Sequence, residues 1–166
     1  MANITLKGTT IHTNGDLPKV GSKAPNFVLV DDKLSDKSLQ DFHGKKKILY
    51  IVPSLDTSVC SMSTKKFSEQ VASHTDIAVL VISADLPFAQ GRLCGAENIK
   101  NIHTLSLMRS KQFASDYGVL ITDGPLAGVT ARAVVVLDQQ DNVLYTELVK
   151  EVTSEPDYTS AFNAAK

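Results

Sequence analysis

The sequence predicts an α/β fold with one central sheet covered on both faces, and three observations support this. Two continuous apolar runs, at residues 48–52 and 77–82, have the pattern of strands buried on both faces. Segments with helical patterning alternate with such strands over residues 48–117. Two further strands then flank Gln139-Gln140-Asp141-Asn142, which is a hairpin signal. The length of 166 residues suits a single domain spanning residues 1–166.

The elements follow in order from an N-terminal hairpin, with strands at residues 4–7 and 10–13. Pro87 suits the first position of a helix, and Gly118 suits the end of another. The remaining strands are predicted from short apolar runs at residues 27–30, 48–52, 77–82, 102–107, 133–137 and 143–148. The helices are predicted at residues 58–73, 87–93, 110–117 and 154–166.

This order of elements describes a thioredoxin-like sandwich with an N-terminal β-hairpin extension. It contains two β-α-β units, then an antiparallel hairpin and a closing helix. A flavodoxin-like doubly wound sheet is the main alternative. The predicted hairpin over residues 133–148 disfavours it, because doubly wound folds continue with parallel strands.

Composition excludes several classes of function. The net charge is −1, and the only basic cluster, Lys45-Lys46-Lys47, is interpreted as a solvated entrance to a strand. Binding of nucleic acid is therefore not expected, because no excess positive charge would drive it. No stretch has the length of a membrane span, and the N-terminus has no apolar signal core. We expect a cytoplasmic protein with no membrane partner.

Cys60 is the main candidate for a reactive residue. It follows a buried strand and the turn that starts at Pro53, and it falls in the first turn of the predicted helix. The unpaired N–H groups and the positive end of the helix dipole favour the thiolate, which is the nucleophilic form. A buried cysteine acting as a small hydrophobe is the alternative. With two cysteines in a reducing compartment, transient redox use is favoured over a structural disulfide.

Three residues could assist Cys60. The hydroxyl of Thr57 could cap the helix or contact the sulfur, and Pro53 could stiffen the turn and shield the thiol. Arg132 is an unusual start to the apolar run that follows it, and a guanidinium near Cys60 would hold the sulfur ionised. The alternatives are a simple cap, a simple turn residue and a solvated strand end.

Cys94 lies in a segment that is predicted to unwind easily. The helix around it is short, contains Gly91, and is expected to stop at Gly95. Glycine inside a helix costs about 1 kcal/mol relative to alanine. A buried cysteine beneath a loop is the alternative. The sequence has no C-x-x-C, which disfavours disulfide exchange of the thioredoxin type, and no His/Cys cluster with the spacing of metal ligands.

The segment Pro53-x-x-x-Thr57-x-x-Cys60, with an arginine opening a later strand, resembles the active site of the peroxiredoxins. Three further segments resemble one subfamily of the peroxiredoxins, the bacterial thiol peroxidases, which are atypical 2-Cys peroxiredoxins. These segments are residues 83–90, Cys94-Gly95 and residues 131–136. The resemblance covers nearly the whole chain, including Glu155-Pro156-Asp157-Tyr158.

The resemblance implies a role for each matched residue. Cys60 would be the peroxidatic cysteine and Cys94 the resolving cysteine, joined in one intrachain disulfide during turnover. Thr57 would hydrogen-bond the thiolate and peroxide, Arg132 would position the peroxide, and Pro53 would shield the sulfur. The family reduces hydrogen peroxide and organic hydroperoxides without a metal or organic cofactor. It is re-reduced by thioredoxin and usually forms homodimers. General disulfide exchange and a redox sensor using the same cysteines remain the alternatives.

Overall fold

A mixed seven-stranded sheet forms the centre of the computed structural model, which describes residues 1–166. The strands are β1 Asn3–Leu6, β2 Thr9–His12, β3 Leu29–Val30, β4 Asp36–Lys37, β5 Lys46–Ile51, β6 Ile77–Ser83, β7 His103–Ser106, β8 Ala133–Leu137 and β9 Val143–Leu148. The helices are α1 Ser58–Val71, α2 Pro87–Ala96, α3 Gln112–Asp116 and α4 Tyr158–Ala165, with a 3₁₀ turn at Leu39–Phe42.

The strand order of the main sheet is β4-β3-β7-β6-β5-β8-β9. Strands β5, β6 and β7 are parallel and are connected through α1 and α2, as two β-α-β units require. Strand β8 then pairs antiparallel with β5, and β9 pairs antiparallel with β8. The predicted thioredoxin-like sandwich is confirmed, and the antiparallel hairpin excludes the doubly wound alternative.

The central strands are continuously apolar because each face of the sheet carries its own core. Leu49 and Ile51 of β5 belong to a cluster of 20 buried residues on one face, together with α3. Ile48 and Tyr50 point the other way, into a cluster of 15 buried residues that also includes Cys60 and parts of α1 and α4. The second core therefore holds both the candidate cysteine and the strand behind it.

The N-terminal hairpin of β1 and β2 is confirmed as a separate two-stranded sheet, one residue earlier than predicted. Its apolar side chains pack on Ala131, which lies just before β8, and on Val152, which lies just after β9. Glu151 fastens the hairpin, since its carboxylate accepts hydrogen bonds from the Thr5 hydroxyl and the Lys7 backbone N–H. The hairpin thus lies beside the segment that carries Arg132.

Several predicted element boundaries are wrong. Strand β3 covers only Leu29–Val30 instead of residues 27–30, and α3 covers only Gln112–Asp116 instead of residues 110–117. Helix α2 does not stop at Gly95 but continues to Ala96, and the Glu97 N–H still bonds to the Leu93 carbonyl. A glycine ends a helix only where it turns to positive φ, and Gly95 does not. Helix α4 begins only at Tyr158, because Asp157 caps it and Pro156 lies outside.

The interpretation of Lys45-Lys46-Lys47 as a solvated entrance is wrong for its last member. Lys47 is fully buried in β5. Its ammonium lies 2.5 Å from the Asp141 carboxylate, which sits in the turn between β8 and β9. A buried ammonium needs such a counter-charge, and the partner is 94 residues away in sequence.

Candidate active site

The turn between β5 and α1 places Cys60 in the first turn of a helix. Pro53 is buried in this turn. Thr57 adopts extended backbone angles and caps α1, and its Oγ1 accepts a hydrogen bond of 3.2 Å from the Cys60 N–H. The cap uses one of the N–H groups that have no partner within the helix. In this structure the Thr57 hydroxyl therefore holds the backbone of Cys60.

The thiol of Cys60 is fully buried, and a guanidinium lies against it. Arg132 Nη1 is 3.0 Å from Cys60 Sγ, and only 2% of the Arg132 surface is exposed. A buried cation is costly unless an anion or several acceptors compensate it. A thiolate at Cys60 is such an anion, and the Arg132 nitrogen lies within hydrogen-bond distance of that sulfur.

Three acceptors fix the Arg132 side chain. Nε donates to the Val152 carbonyl at 2.9 Å, and Nη1 donates to the Tyr50 hydroxyl at 3.0 Å as well as to the Cys60 sulfur. Burial by itself lowers the pKa of Arg132, but Tyr50 and Cys60 raise it, and the resulting pKa is above its ordinary value. Arg132 is therefore a permanent cation in the core. Its Nη2 makes no hydrogen bond within the protein.

Sequence reasoning missed Tyr50, which it treated as one member of an apolar strand. Tyr50 is fully buried in β5, and its ring packs against Phe67 with 4.9 Å between centroids. The available signal was the hydroxyl itself. A tyrosine in an otherwise aliphatic buried run needs a polar partner inside the core.

Asp85 is a second residue that sequence reasoning missed. Its carboxylate accepts hydrogen bonds from the Ser54 hydroxyl at 2.6 Å, the Leu55 N–H at 2.7 Å and the Ser83 hydroxyl at 2.7 Å. Ser54 and Leu55 belong to the turn before α1, while Asp85 stands at the entry to α2. One carboxylate therefore connects the segments that lead to the two cysteines.

Cys94 lies in α2 and is half-buried, and both cysteines are unbonded. Burial raises the pKa of the Cys94 thiol, so in this conformation Cys94 is held as the neutral thiol. A cavity of about 200 Å³ separates α2 from the turn before α1, and Leu55, Asp85 and Leu93 line it. The two cysteines thus belong to neighbouring elements but occupy different environments.

No group of three or more His, Cys, Asp or Glu side chains is arranged to hold a metal ion. The four histidines contribute to no such cluster. Among the helices, none combines the length and apolar character needed to cross a membrane.

Comparisons with known proteins agree with the fold. Residues 19–162 match the Redoxin family model. The chain is 50% identical to the thiol peroxidase of Leptospira interrogans, over 99% of this chain and 98% of that protein. A peroxiredoxin-like protein from Aquifex aeolicus superimposes with a TM-score of 0.93 at 40% identity, covering 99% and 96% of the two chains. The thiol peroxidase from Chromobacterium violaceum gives 0.90 at 27% identity, covering 97% and 93%.

A thioredoxin-like sandwich with a buried cysteine at a helix start defines a class of thiol-dependent oxidoreductases. Within that class, the chain belongs to the Redoxin family and to its bacterial thiol peroxidases, a group of the peroxiredoxins. It is a peroxidase of the peroxiredoxin type.

Proposed function

We propose that the protein reduces hydrogen peroxide and organic hydroperoxides through a sulfenic acid at Cys60 and an intrachain Cys60–Cys94 disulfide. The observation that carries this proposal is the 3.0 Å contact between Arg132 Nη1 and Cys60 Sγ inside the core. It pairs the cysteine that matches the family motif with a cation that favours its nucleophilic form.

In the first step the Cys60 thiolate attacks the distal oxygen of the peroxide. An S–O bond forms, the O–O bond breaks, and the leaving oxygen takes up a proton to depart as water or alcohol. Arg132 Nη2 is unused by the protein and is the donor available to a peroxide oxygen as charge develops on it. Thr57 holds the first turn of α1 in place, and Pro53 keeps the turn before it rigid.

In the second step the Cys94 thiol attacks the sulfenic sulfur of Cys60. An S–S bond forms and water leaves. A disulfide requires Cα atoms within about 4.4–6.8 Å of each other. Cys60 is fully buried at the start of α1, and Cys94 lies near the end of a different helix. We infer that one or both helices open locally in each cycle, and that the Asp85 hydrogen bonds break when they do.

The third step returns both cysteines to thiols. Thioredoxin serves as the reductant, attacking the disulfide by thiol–disulfide exchange. This assignment, the homodimeric state and the cytoplasmic location rest on membership of the thiol peroxidases. No cofactor takes part, because the two sulfurs carry the electrons through the cycle.

A steady-state assay with thioredoxin, its reductase, NADPH and a hydroperoxide tests the proposal. We expect peroxide-dependent NADPH oxidation by the wild type and none by Cys60→Ser. Cys94→Ser should consume about one peroxide per chain and then stop, since its sulfenic acid has no resolving thiol. Normal turnover by Cys60→Ser would show that the assignment of the reactive cysteine is wrong.

A further inference from the structure

Tyr50 lies at the centre of the site, and the reaction described above gives it no task. It is fully buried in β5, and its hydroxyl accepts a hydrogen bond from Arg132 Nη1. The same nitrogen donates to the Cys60 sulfur. The phenol and the thiol therefore share one donor group of one guanidinium, and movement of that group changes both contacts together.

The Tyr50 hydroxyl stays protonated and can donate as well as accept. Burial raises the pKa of Tyr50, although Arg132 and Ser63 act to lower it. Ser63 of α1 is itself buried beside this hydroxyl. The hydrogen bond that fixes the Tyr50 hydroxyl is the one it accepts from Arg132 Nη1.

The polar contacts continue from Ser63 to the protein surface. The Ser63 hydroxyl shares a hydrogen bond of 2.8 Å with the hydroxyl of Tyr158, the first residue of α4. Tyr158 in turn donates to the Glu155 carboxylate at 3.0 Å. Glu155 and Tyr158 belong to the Glu155-Pro156-Asp157-Tyr158 segment, to which the proposed reaction assigns no role.

We propose that Tyr50 is a positioning residue of the peroxidase, which holds Arg132 against Cys60. This inference rests on the proposed function. The Val152 carbonyl anchors Nε alone, and a single anchor leaves the outer part of the guanidinium free to swing. The Tyr50 hydroxyl supplies a second anchor, on Nη1. When Cys60 is oxidised or its helix opens, Tyr50 is the acceptor that keeps Nη1 in place for the returning thiolate.

Tyr50→Phe tests the proposal, because it removes the hydroxyl and keeps the ring that packs on Phe67. We expect the second-order rate constant for Cys60 oxidation by peroxide, measured in a single turnover, to fall about 10-fold or more. Reduction of the preformed disulfide by thioredoxin should be unchanged, since Arg132 has no part in that step.

A double-mutant cycle separates positioning from simple stability. In an Arg132→Lys background the guanidinium is gone, so adding Tyr50→Phe should lower the rate less than about 2-fold. Tyr117→Phe is the matched control. Tyr117 is also fully buried, and its hydroxyl donates to the Pro25 carbonyl at 2.7 Å, away from the site. In the Tyr117→Phe control, peroxide should oxidise Cys60 at the wild-type rate.

The inference is overturned if peroxide oxidises Cys60 of Tyr50→Phe at the wild-type rate. It is also overturned if Tyr50→Phe lowers the oxidation rate of the Arg132→Lys variant by as large a factor as it lowers that of the wild type. Either result leaves the proposed function intact, because wild-type turnover and the inactivity of Cys60→Ser test that separately. If Tyr50→Phe does not fold, Tyr50→Leu removes the same hydroxyl from beside Arg132. We then expect a several-fold slower oxidation of Cys60, and an unchanged rate would overturn the inference equally.

Discussion

A buried guanidinium separates Cys60 from an ordinary core cysteine. An isolated buried thiol is held neutral by its apolar surroundings, and the neutral form is a poor nucleophile. Cys60 differs in its surroundings, because Arg132 is a permanent cation with 2% exposure and a nitrogen 3.0 Å from the sulfur. Its position directly before β8, which pairs with β5, brings it to the sulfur from 72 residues away.

Arg132→Lys should therefore impair Cys60 although it keeps the charge. A lysine offers one ammonium and cannot contact the Val152 carbonyl with one nitrogen while a second nitrogen contacts both the Tyr50 hydroxyl and the Cys60 sulfur. We expect the rate constant for Cys60 oxidation to fall on the order of 100-fold, measured by stopped-flow against hydrogen peroxide. Arg109→Lys, at an exposed ion pair with Asp36, is the control. Near-wild-type activity of Arg132→Lys would mean that charge alone suffices.

At the scale of elements, the two cysteine-bearing helices are connected through one carboxylate. Asp85 receives hydrogen bonds from the turn before α1 and stands at the entry to α2. Hydrogen bonds to a charged acceptor are stronger than neutral ones. The contact therefore stabilises the closed conformation in which Cys60 meets Arg132, and it opposes the opening that brings Cys94 to the sulfenic acid.

Asp85→Asn should weaken this connection and favour opening. We expect disulfide formation after peroxide addition to become several-fold faster, and the fraction of Cys60 over-oxidised to sulfinic acid at high peroxide to fall. Quenched-flow mass spectrometry measures both quantities. The neighbouring Asp56→Asn is the matched control, because the Asp56 carboxylate is exposed and makes no hydrogen bond. Slower disulfide formation in Asp85→Asn would contradict this role.

Elements were predictable where one local signal fixes them. The apolar runs of β5 and β6 could only be buried strands, and a turn signal between β8 and β9 marked the hairpin. The two-residue strand β4 carries no such signal. Contacts between residues that are far apart in the sequence could not be predicted from it either. The partners of Lys47 and Tyr50 lie 94 and 82 residues away, so no local pattern reveals them. Arg132 was predicted from two signals: a cation is unusual at the start of an apolar strand, and the peroxiredoxin motif that the chain resembles has an arginine there.

Across the whole molecule, the N-terminal hairpin supports the region around the site. Glu151 holds it, and hydrogen bonds from the Thr5 hydroxyl and the Lys7 and Gly8 N–H groups lower the pKa of Glu151 to about 2. A carboxyl with a depressed folded-state pKa stabilises the protein above its unfolded pKa. That contribution is lost as the pH falls from about 4.5, the ordinary value, through about 2.

Glu151→Gln should therefore destabilise the protein near neutral pH and matter less in acid. We expect a lower urea midpoint than the wild type at pH 7, with the difference shrinking as the pH is lowered below about 4.5. Glu69→Gln, at an exposed position of α1, should leave the midpoint unchanged at every pH. A difference that grows on acidification would contradict the stated contribution of Glu151.

The roles of Cys60 and Cys94 are tested by mapping the bond that one equivalent of peroxide creates in the reduced protein. We expect peptide mass spectrometry to identify a Cys60–Cys94 linkage, and non-reducing electrophoresis to show only monomers, since both sulfurs belong to one chain. Cys60→Ser should consume no peroxide and form no linkage. A covalent dimer, or a wild-type protein in which Cys60 remains a thiol after the peroxide is consumed, would show that Cys60 is not oxidised and then resolved by Cys94 of the same chain.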